Sequence, residues 1–384
     1  MADTLRTPHG ELPLPVFLPD ATRGVVRGLD SADVEACGVP AIMMNAFHLS
    51  VRPGIRTIRE LGGAHAFAGW RRPIFTDSGG FQVFSLIRQN SAYGSITRGG
   101  AIFRLSPQDK KRILSPEKAI QAQLQLGSDV VTCLDDCTDA MTPRAEQEAS
   151  VERTVAWAKR CKAEFERLLA ERHDLPQGRP LLFAVIQGGN DRELRRRCAE
   201  ALLEIGFDGY GLGGWPLDEQ GNLLAEIVEH TARLVPGDLP RHALGVGKPE
   251  NVVACAAFGY DVFDCAIPTR DARHRRLYVF AADSPDEVDL SRPDFYRCVY
   301  VGDARYRGDP RPLSAACDCL CCARYSRAYL HHLYDVRDTL AYRLGTIHNL
   351  RFYAQLMALI RKRRLPDGAA AQDGAPSAGS PKHA

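Results

Sequence analysis

Two groups of side chains in this sequence have the types and spacing to do chemistry. The first is "CDCLCC", residues 317–322, which packs four cysteines into six positions, with His348 downstream on an expected helix. Cys317, Cys319 and Cys322 form C-x-C-x2-C, and three thiolates with one imidazole make a closed tetrahedral set, the usual form of a structural zinc site. Such a site has no open coordination position, so one structural Zn2+ per subunit is expected, without a catalytic role. A vicinal redox pair at Cys321–Cys322 and a four-cysteine site lacking the histidine are the competing readings. Cys321 breaks the ligand spacing and is expected to be free. The second group is carboxylates: Asp77 in "TDSGG", Asp135 and Asp136 in "LDDC", and Asp264 in "FDC". Two carboxylates flanking a sugar carbon can act as nucleophile and as general acid/base in retaining glycosyl transfer. The spacing does not say which is which. Gln187, both donor and acceptor, suits a planar heterocycle. The glycine pairs 79–80, 188–189 and 213–214 would let a flat ligand approach the backbone.

These residues sit where apolar runs end. Eight such runs occur: "PVFLPDAT" (15–22), "AIMMNAFHL" (41–49), "PIFTDSGGFQ" (73–82), "DVVTCLDDC" (129–137), "LLFAVIQGG" (181–189), "DGYGLGG" (208–214), "HALGVGKP" (242–249) and "VFDCAIPTR" (262–270). Runs of this length suit buried parallel strands, and the segments between them carry helical periodicity. Polar clusters at all eight ends, rather than at one switch point, favour an α/β fold of the (β/α)8 TIM barrel kind over an open doubly wound sheet. The expected division is a barrel over 1–276 with a hairpin insertion at about 84–114, and a zinc-binding subdomain over 277–347 inserted near the C-terminus. A last helix over 348–364 would carry the zinc histidine, and 365–384, rich in Ala, Gly, Pro and Ser, would be a disordered tail.

The chain of 384 residues has the apolar and charged fractions of a soluble globular protein and a net charge of +2. It has no apolar run long enough to span a membrane, and "MADTLRTPHGELPLP" lacks the features of a signal peptide. A cytoplasmic location is therefore expected, with the twelve cysteines mostly reduced. Basic runs stand at 192–197, 269–276 and 361–364; such runs are commonly solvated surface, unless one borders a reactive site.

Taken in order, "TDSGGFQ", "LDDC", "IQGG", "GVGKP", "FDCAIPTR", the cysteine cluster, "SRAYLHHL" and "HNL" resemble the tRNA-guanine transglycosylases, the queuine tRNA-ribosyltransferase family, from about Arg6 to Arg364. The resemblance implies exchange of the wobble guanine of GUN-anticodon tRNAs for a 7-deazaguanine base. That base would be 7-aminomethyl-7-deazaguanine as in bacterial members, with queuine as the rival. It implies Asp264 as nucleophile, Asp77 as general acid/base, and Asp135, Gln187, Gly213, Gly214 and Phe81 around the base. Arg270, Arg273, Lys248 and Thr269 would meet the anticodon loop, and the subunit would form a homodimer partly through the zinc subdomain. A non-catalytic RNA-binding partner subunit, an enzyme acting on DNA or at another tRNA position, and a plain glycoside hydrolase are the alternatives. The segment "GGWPLDEQ" (213–220) departs from the family pattern: Trp215 is bulky, Pro216 has no N–H, and Asp218 or Glu219 is expected to face a cationic substituent.

Overall fold

Each of the eight apolar runs forms a short parallel strand: β1 (Val16–Pro19), β2 (Ile42–Asn45), β3 (Ile74–Asp77), β4 (Val130–Thr132), β5 (Leu181–Ile186), β6 (Gly209–Leu212), β7 (Arg241–Ala243) and β8 (Val262–Cys265). The computed structural model describes residues 3–139, 142–171 and 178–364, so the expected tail lies outside the described residues. The strands pair in the order β1-β8-β7-β6-β5-β4-β3-β2. A parallel bridge from Asp20 to Met43 closes the circle, with the Ala21 N–H on the Met43 carbonyl at 2.7 Å. This is a (β/α)8 barrel, and the residues that follow the strands gather at one mouth. Among the described residues no helix is long and apolar enough to cross a membrane.

The floor is stoppered. An antiparallel hairpin, Thr4–Thr7 with Gly10–Pro13, sends Leu5, Leu12 and Leu14 against Phe75, Val130, Phe183 and Val262 inside the barrel. Asp129, fully buried at the start of β4, fastens it. One carboxylate oxygen accepts from His9 N–H and His9 Nδ1, both at 2.8 Å; the other accepts from Ile74 N–H at 2.8 Å and lies 3.2 Å from His65 Nε2. The His9 and His65 rings stack at 3.6 Å and 19°. Parallel rings direct their in-plane lone pairs side by side rather than at one point, so the trio is a hydrogen-bonded clasp, not a metal site.

Two boundaries differ from the sequence expectation. Residues 80–89 are a helix, because Val83, Phe84 and Ile87 fall on one buried face. The insertion that follows is a three-stranded antiparallel sheet, Gly94–Thr97, Gly100–Phe103 and Arg112–Leu114. The last helix begins at Thr339, well ahead of His348, and runs to Arg364. Before it, a hairpin of Arg276–Phe280 with Tyr296–Tyr300 and the helices Leu320–Arg324 and Arg327–Asp335 pack beside the barrel.

Burial pushes the Asp129 carboxyl up, but hydrogen bonds from His65, Ile74 N–H and His9 outweigh it and leave it below its ordinary value. A depressed carboxylate adds stability above its unfolded pKa that is lost on acidification. Asp129→Ala, which strands several buried donors, should lower unfolding free energy by about 3 kcal/mol or more in urea titration at pH 7. The gap between variant and parent should narrow below about pH 4.

Candidate active site and metal centre

The carboxylates predicted to do chemistry arrive from β3, from the loop after β4 and from β8, and meet in a cavity of about 410 Å3 at the barrel mouth. Asp77 ends β3. Its Oδ2 accepts from Asn45 Nδ2 at 2.5 Å, and its Oδ1 accepts from the N–H groups of Ala46 and Gly79, both at 3.2 Å. Gly79 has φ +76°, and a Cβ there would lie 2.6 Å from Phe47 Cβ, so only glycine makes this turn beside the acid. Burial pushes the Asp77 carboxyl up to about 7; the backbone bond from Ala46 opposes the rise and the charge of Asp264 adds to it.

Asp264 ends its strand in a different setting. Its Oδ1 accepts from His242 Nε2 at 2.9 Å and from Gly245 N–H at 3.1 Å, and its side chain keeps 20% of its surface exposed. Both carboxylates are half-buried at the cavity; that of Asp77 is raised toward neutrality, while that of Asp264 is held by donors from His242 and Gly245. A raised carboxyl beside a carboxylate held by donors is the arrangement that an acid/base and nucleophile pair would need.

The adjacent pair in "LDDC" splits. Asp135 faces the cavity, with burial raising its carboxyl to about 6 against a 2.5 Å hydrogen bond from Gln187 Nε2. Asp136 turns away into a buried ion pair with Arg153 at 2.7 Å, and Arg88 lies at 3.4 Å. Gln187 itself stands behind the wall, fully buried. A Cβ on Gly213 would collide with its amide, and among the described residues no donor reaches its Oε1. Gly213 and Gly214 form the wall in front of it.

Phe81 and Trp215 both line the cavity with half their surface exposed, so Trp215 belongs to the site rather than to packing. The acids after it do not reach the cavity. Asp218 closes its own turn by accepting from Asn222 N–H at 2.8 Å and Nδ2 at 3.1 Å, and Pro216 and Leu217 take the wall instead. Lys248 reaches the lining with its ammonium on the Gly221 carbonyl, 2.9 Å away, and Arg270 lines the rim with an exposed guanidinium. Thr269 and Arg273 are not part of that lining. Thr269 is fully buried with its hydroxyl donating to Ala266 O, which corrects its expected place among RNA contacts; Arg273 is half-buried and donates to Thr269 O at 2.8 Å. Sequence reasoning missed Asn45 and His242. The only available signal was that each is a polar residue on a run expected to be a barrel strand.

Behind the barrel, Cys317, Cys319, Cys322 and His348 bring their ligand atoms within 4.8 Å of one another, all of them shielded from solvent. His348 Nδ1 lies 3.6 Å from Cys319 Sγ and 3.3 Å from Cys322 Sγ. A tetrahedral zinc with ordinary bond lengths separates nitrogen and sulfur ligands by about 3.6 Å. The other ring nitrogen donates to the Tyr278 carbonyl at 2.6 Å, which fixes the tautomer and leaves Nδ1 free to bind metal. Cys321 is buried apart from the four, in the core with Leu330 and Leu333. The donors fit a metal ion. The same elements brace the surroundings of Asp264: Tyr278 OH donates to Asp271 at 2.5 Å, and Asn349 Nδ2 donates to Pro268 O at 2.9 Å, both on the helix Ile267–Arg273.

A barrel that gathers Asp77, Asp135 and Asp264 at its mouth and carries a Cys3His cluster at its flank fits a glycosyl-transferring class of enzyme. The family model described as queuine tRNA-ribosyltransferase matches residues 2–368. Proteins bearing that name are similar along almost the whole chain. The one from Psychrobacter sp. is 39% identical over 93% of this chain and 88% of its own length, and that from Solidesulfovibrio magneticus is 40% identical over 93% and 89%. The one from Shewanella sp. is 41% identical over 92% and 87%. The chain belongs to the queuine tRNA-ribosyltransferase family.

Metal analysis of the purified protein should find one zinc per chain. Cys319→Ser should lose it and lower the thermal midpoint by several degrees, because the loop 317–322 is then untied from the last helix. A full complement of metal in that variant would refute the ligand set.

Proposed function

We propose that this chain exchanges the wobble guanine of GUN-anticodon tRNAs for a 7-deazaguanine base by double displacement. The observation that carries the reading is a pair of half-buried carboxylates facing one cavity from different strands, Asp77 with its carboxyl up at about 7 and Asp264 held by His242 and Gly245. Asp264 attacks C1′ of the target nucleotide from one face. The glycosidic C–N bond breaks, its electron pair leaves with guanine, and the Asp77 proton neutralises the departing base. The incoming base then gives its ring N–H proton to Asp77, and its nitrogen attacks C1′. The C1′–O bond to Asp264 breaks and the carboxylate is restored with net retention.

Asp135, held from behind by Gln187 Nε2, supplies an acceptor to a planar base, with Gly213 and Gly214 leaving room for the base's edge. Phe81 offers a face for stacking. Arg270 and Lys248 stand where loop phosphates would pass. The incoming base in this reading is 7-aminomethyl-7-deazaguanine, with queuine as the rival. The zinc of the Cys3His cluster is structural in this reading, the protein acts in the cytoplasm, and exposed Tyr329, stacked on half-buried Tyr325 in the zinc subdomain, supports a homodimer contact there.

Incubation with tRNA carrying radiolabelled guanine, chased in parallel with the aminomethyl base and with queuine, tests exchange and base choice together. Asp264→Asn should yield no denaturation-resistant RNA adduct; an unchanged yield would sink the nucleophile assignment. Asp77→Asn should cut turnover by roughly 100-fold or more with tRNA affinity retained. In single-turnover assays guanine release needs Asp77 protonated, so it should fall as pH rises through about 7. Attack by the incoming base needs Asp77 ionised and should fall below that pH. Profiles without this opposition would remove Asp77 from the proton transfers.

A further inference from the structure

Positive charge on this molecule sorts into two kinds. The basic runs noted on the outer helices are consumed within the chain: Arg192 pairs with Glu226, Arg196 with Glu193 and Glu200, and Arg197 with Glu148. Lys362, Arg363 and Arg364 pair with Asp286, Asp289 and Asp261. Arg195 is buried with its guanidinium on the carbonyls of Gly189 and Ile186. A different cluster, "DKKR" (109–112), stands in the inserted sheet. Lys110, Lys111 and Arg112 are all exposed, and among the described residues none has an ion-pair partner. Asp109 subtracts one unit, so three cations less one carboxylate leave +2 over four residues. Charges left unpaired on a surface are available to a partner that brings many anions.

The fold puts this cluster beside the cavity. The Arg98–Gly99 turn of the inserted sheet is pinned to the long helix Arg144–Ala170, where its carbonyls accept from Trp157 and Arg160. The loop carrying 109–112 is at the opposite end. Strand register sets Arg112 beside Phe103, and the Phe103 ring lies 5.9 Å from that of Phe47. Phe47 is the residue that presses on Gly79 in the cavity wall. The basic tip is therefore tied through Phe103 and Phe47 to the Gly79 turn that follows Asp77, at the edge of the cavity wall.

We infer that Lys110, Lys111 and Arg112 bind backbone phosphates of the helical stem that continues from the RNA loop in the cavity. The inference rests on the proposed function. Once a loop has entered this mouth, its stem must leave across the rim, and flexible unpaired cations there contact phosphates without selecting sequence. They would add affinity and orientation, not chemistry.

The test compares the full-length chain with its Lys110→Ala/Lys111→Ala/Arg112→Ala variant. Binding is measured over a range of salt concentrations to an anticodon stem–loop and to the bare single-stranded loop. Loss of three phosphate contacts should weaken stem–loop binding roughly tenfold and reduce the slope of log K against log salt by about 2 to 3. Binding of the bare loop and kcat at saturating stem–loop should be unchanged. Unchanged stem–loop affinity and slope would overturn the inference, including the case in which the patch serves an acidic protein. Equal losses for stem–loop and bare loop would overturn it too, since a general field effect would then explain both. If the triple variant misfolds, Lys111→Glu alone should still weaken the stem–loop selectively. Failure of the parent chain to bind either RNA would instead refute the proposed function.

Discussion

A carboxyl group holds a proton near neutral pH only where water is kept from its anion. The rest of the site is arranged around that constraint at Asp77. Strand β3 buries the acid, Gly79 turns the chain tightly beside it, and Phe47 fills the space that a side chain would otherwise take. Ala46, Gly79 and Asn45 supply only enough hydrogen bonding to keep the anion accessible rather than forbidden. Asp264, a few strands round the barrel, sits among different partners. His242 and Gly245 stabilise its charge, and that charge in turn helps hold the Asp77 proton. The two acids are coupled opposites, and the barrel is what holds them apart and facing.

The metal cluster serves the same end from outside. His348 reaches from the cysteines to the Tyr278 carbonyl, and the Tyr278 hydroxyl reaches Asp271. Tyr334 OH donates to Ala272 O, and Tyr353 OH to Gly247 O. The short helix after the nucleophile and the turn before Lys248 are therefore hung from the last helix and its neighbours. A helix of Ile267–Arg273 is too short to be stable by itself, so its position, and that of Arg270, depends on these bonds.

How much of this was legible in the sequence varies with the physics involved. The barrel strands were legible because a strand buried on both faces must be apolar throughout, and each such run is followed by a polar break. The Cys3His set was legible because metal geometry fixes both residue type and spacing. Burial within the functional clusters was not. Asp135 and Asp136 are adjacent letters, yet one faces the cavity and the other an arginine on the helix Arg144–Ala170, a distinction made by packing. Thr269 and Arg270 are likewise neighbours, and helical rotation alone buries the first and exposes the second. The helix over 80–89 was missed because glycines and polar residues at its start read as loop, while Val83, Phe84 and Ile87 supply the face that packs. The support given by Asn45 and His242 arises between strands far apart in sequence, where no local pattern records it.

The stoppered floor has a consequence for traffic. With the N-terminal hairpin filling the lower barrel and Asp129 fastening it, the cavity opens, among the described residues, at the barrel mouth, where the proposed polynucleotide substrate would stand. A released base and its replacement cannot file through from opposite ends; they must take turns at the same opening, past Phe81 and Trp215. In such a one-door chamber the departing base is also the most immediate competitor for re-entry. The direction of net exchange is then set outside the protein, by which base is more abundant at the threshold and which bond, once made, is the harder to undo.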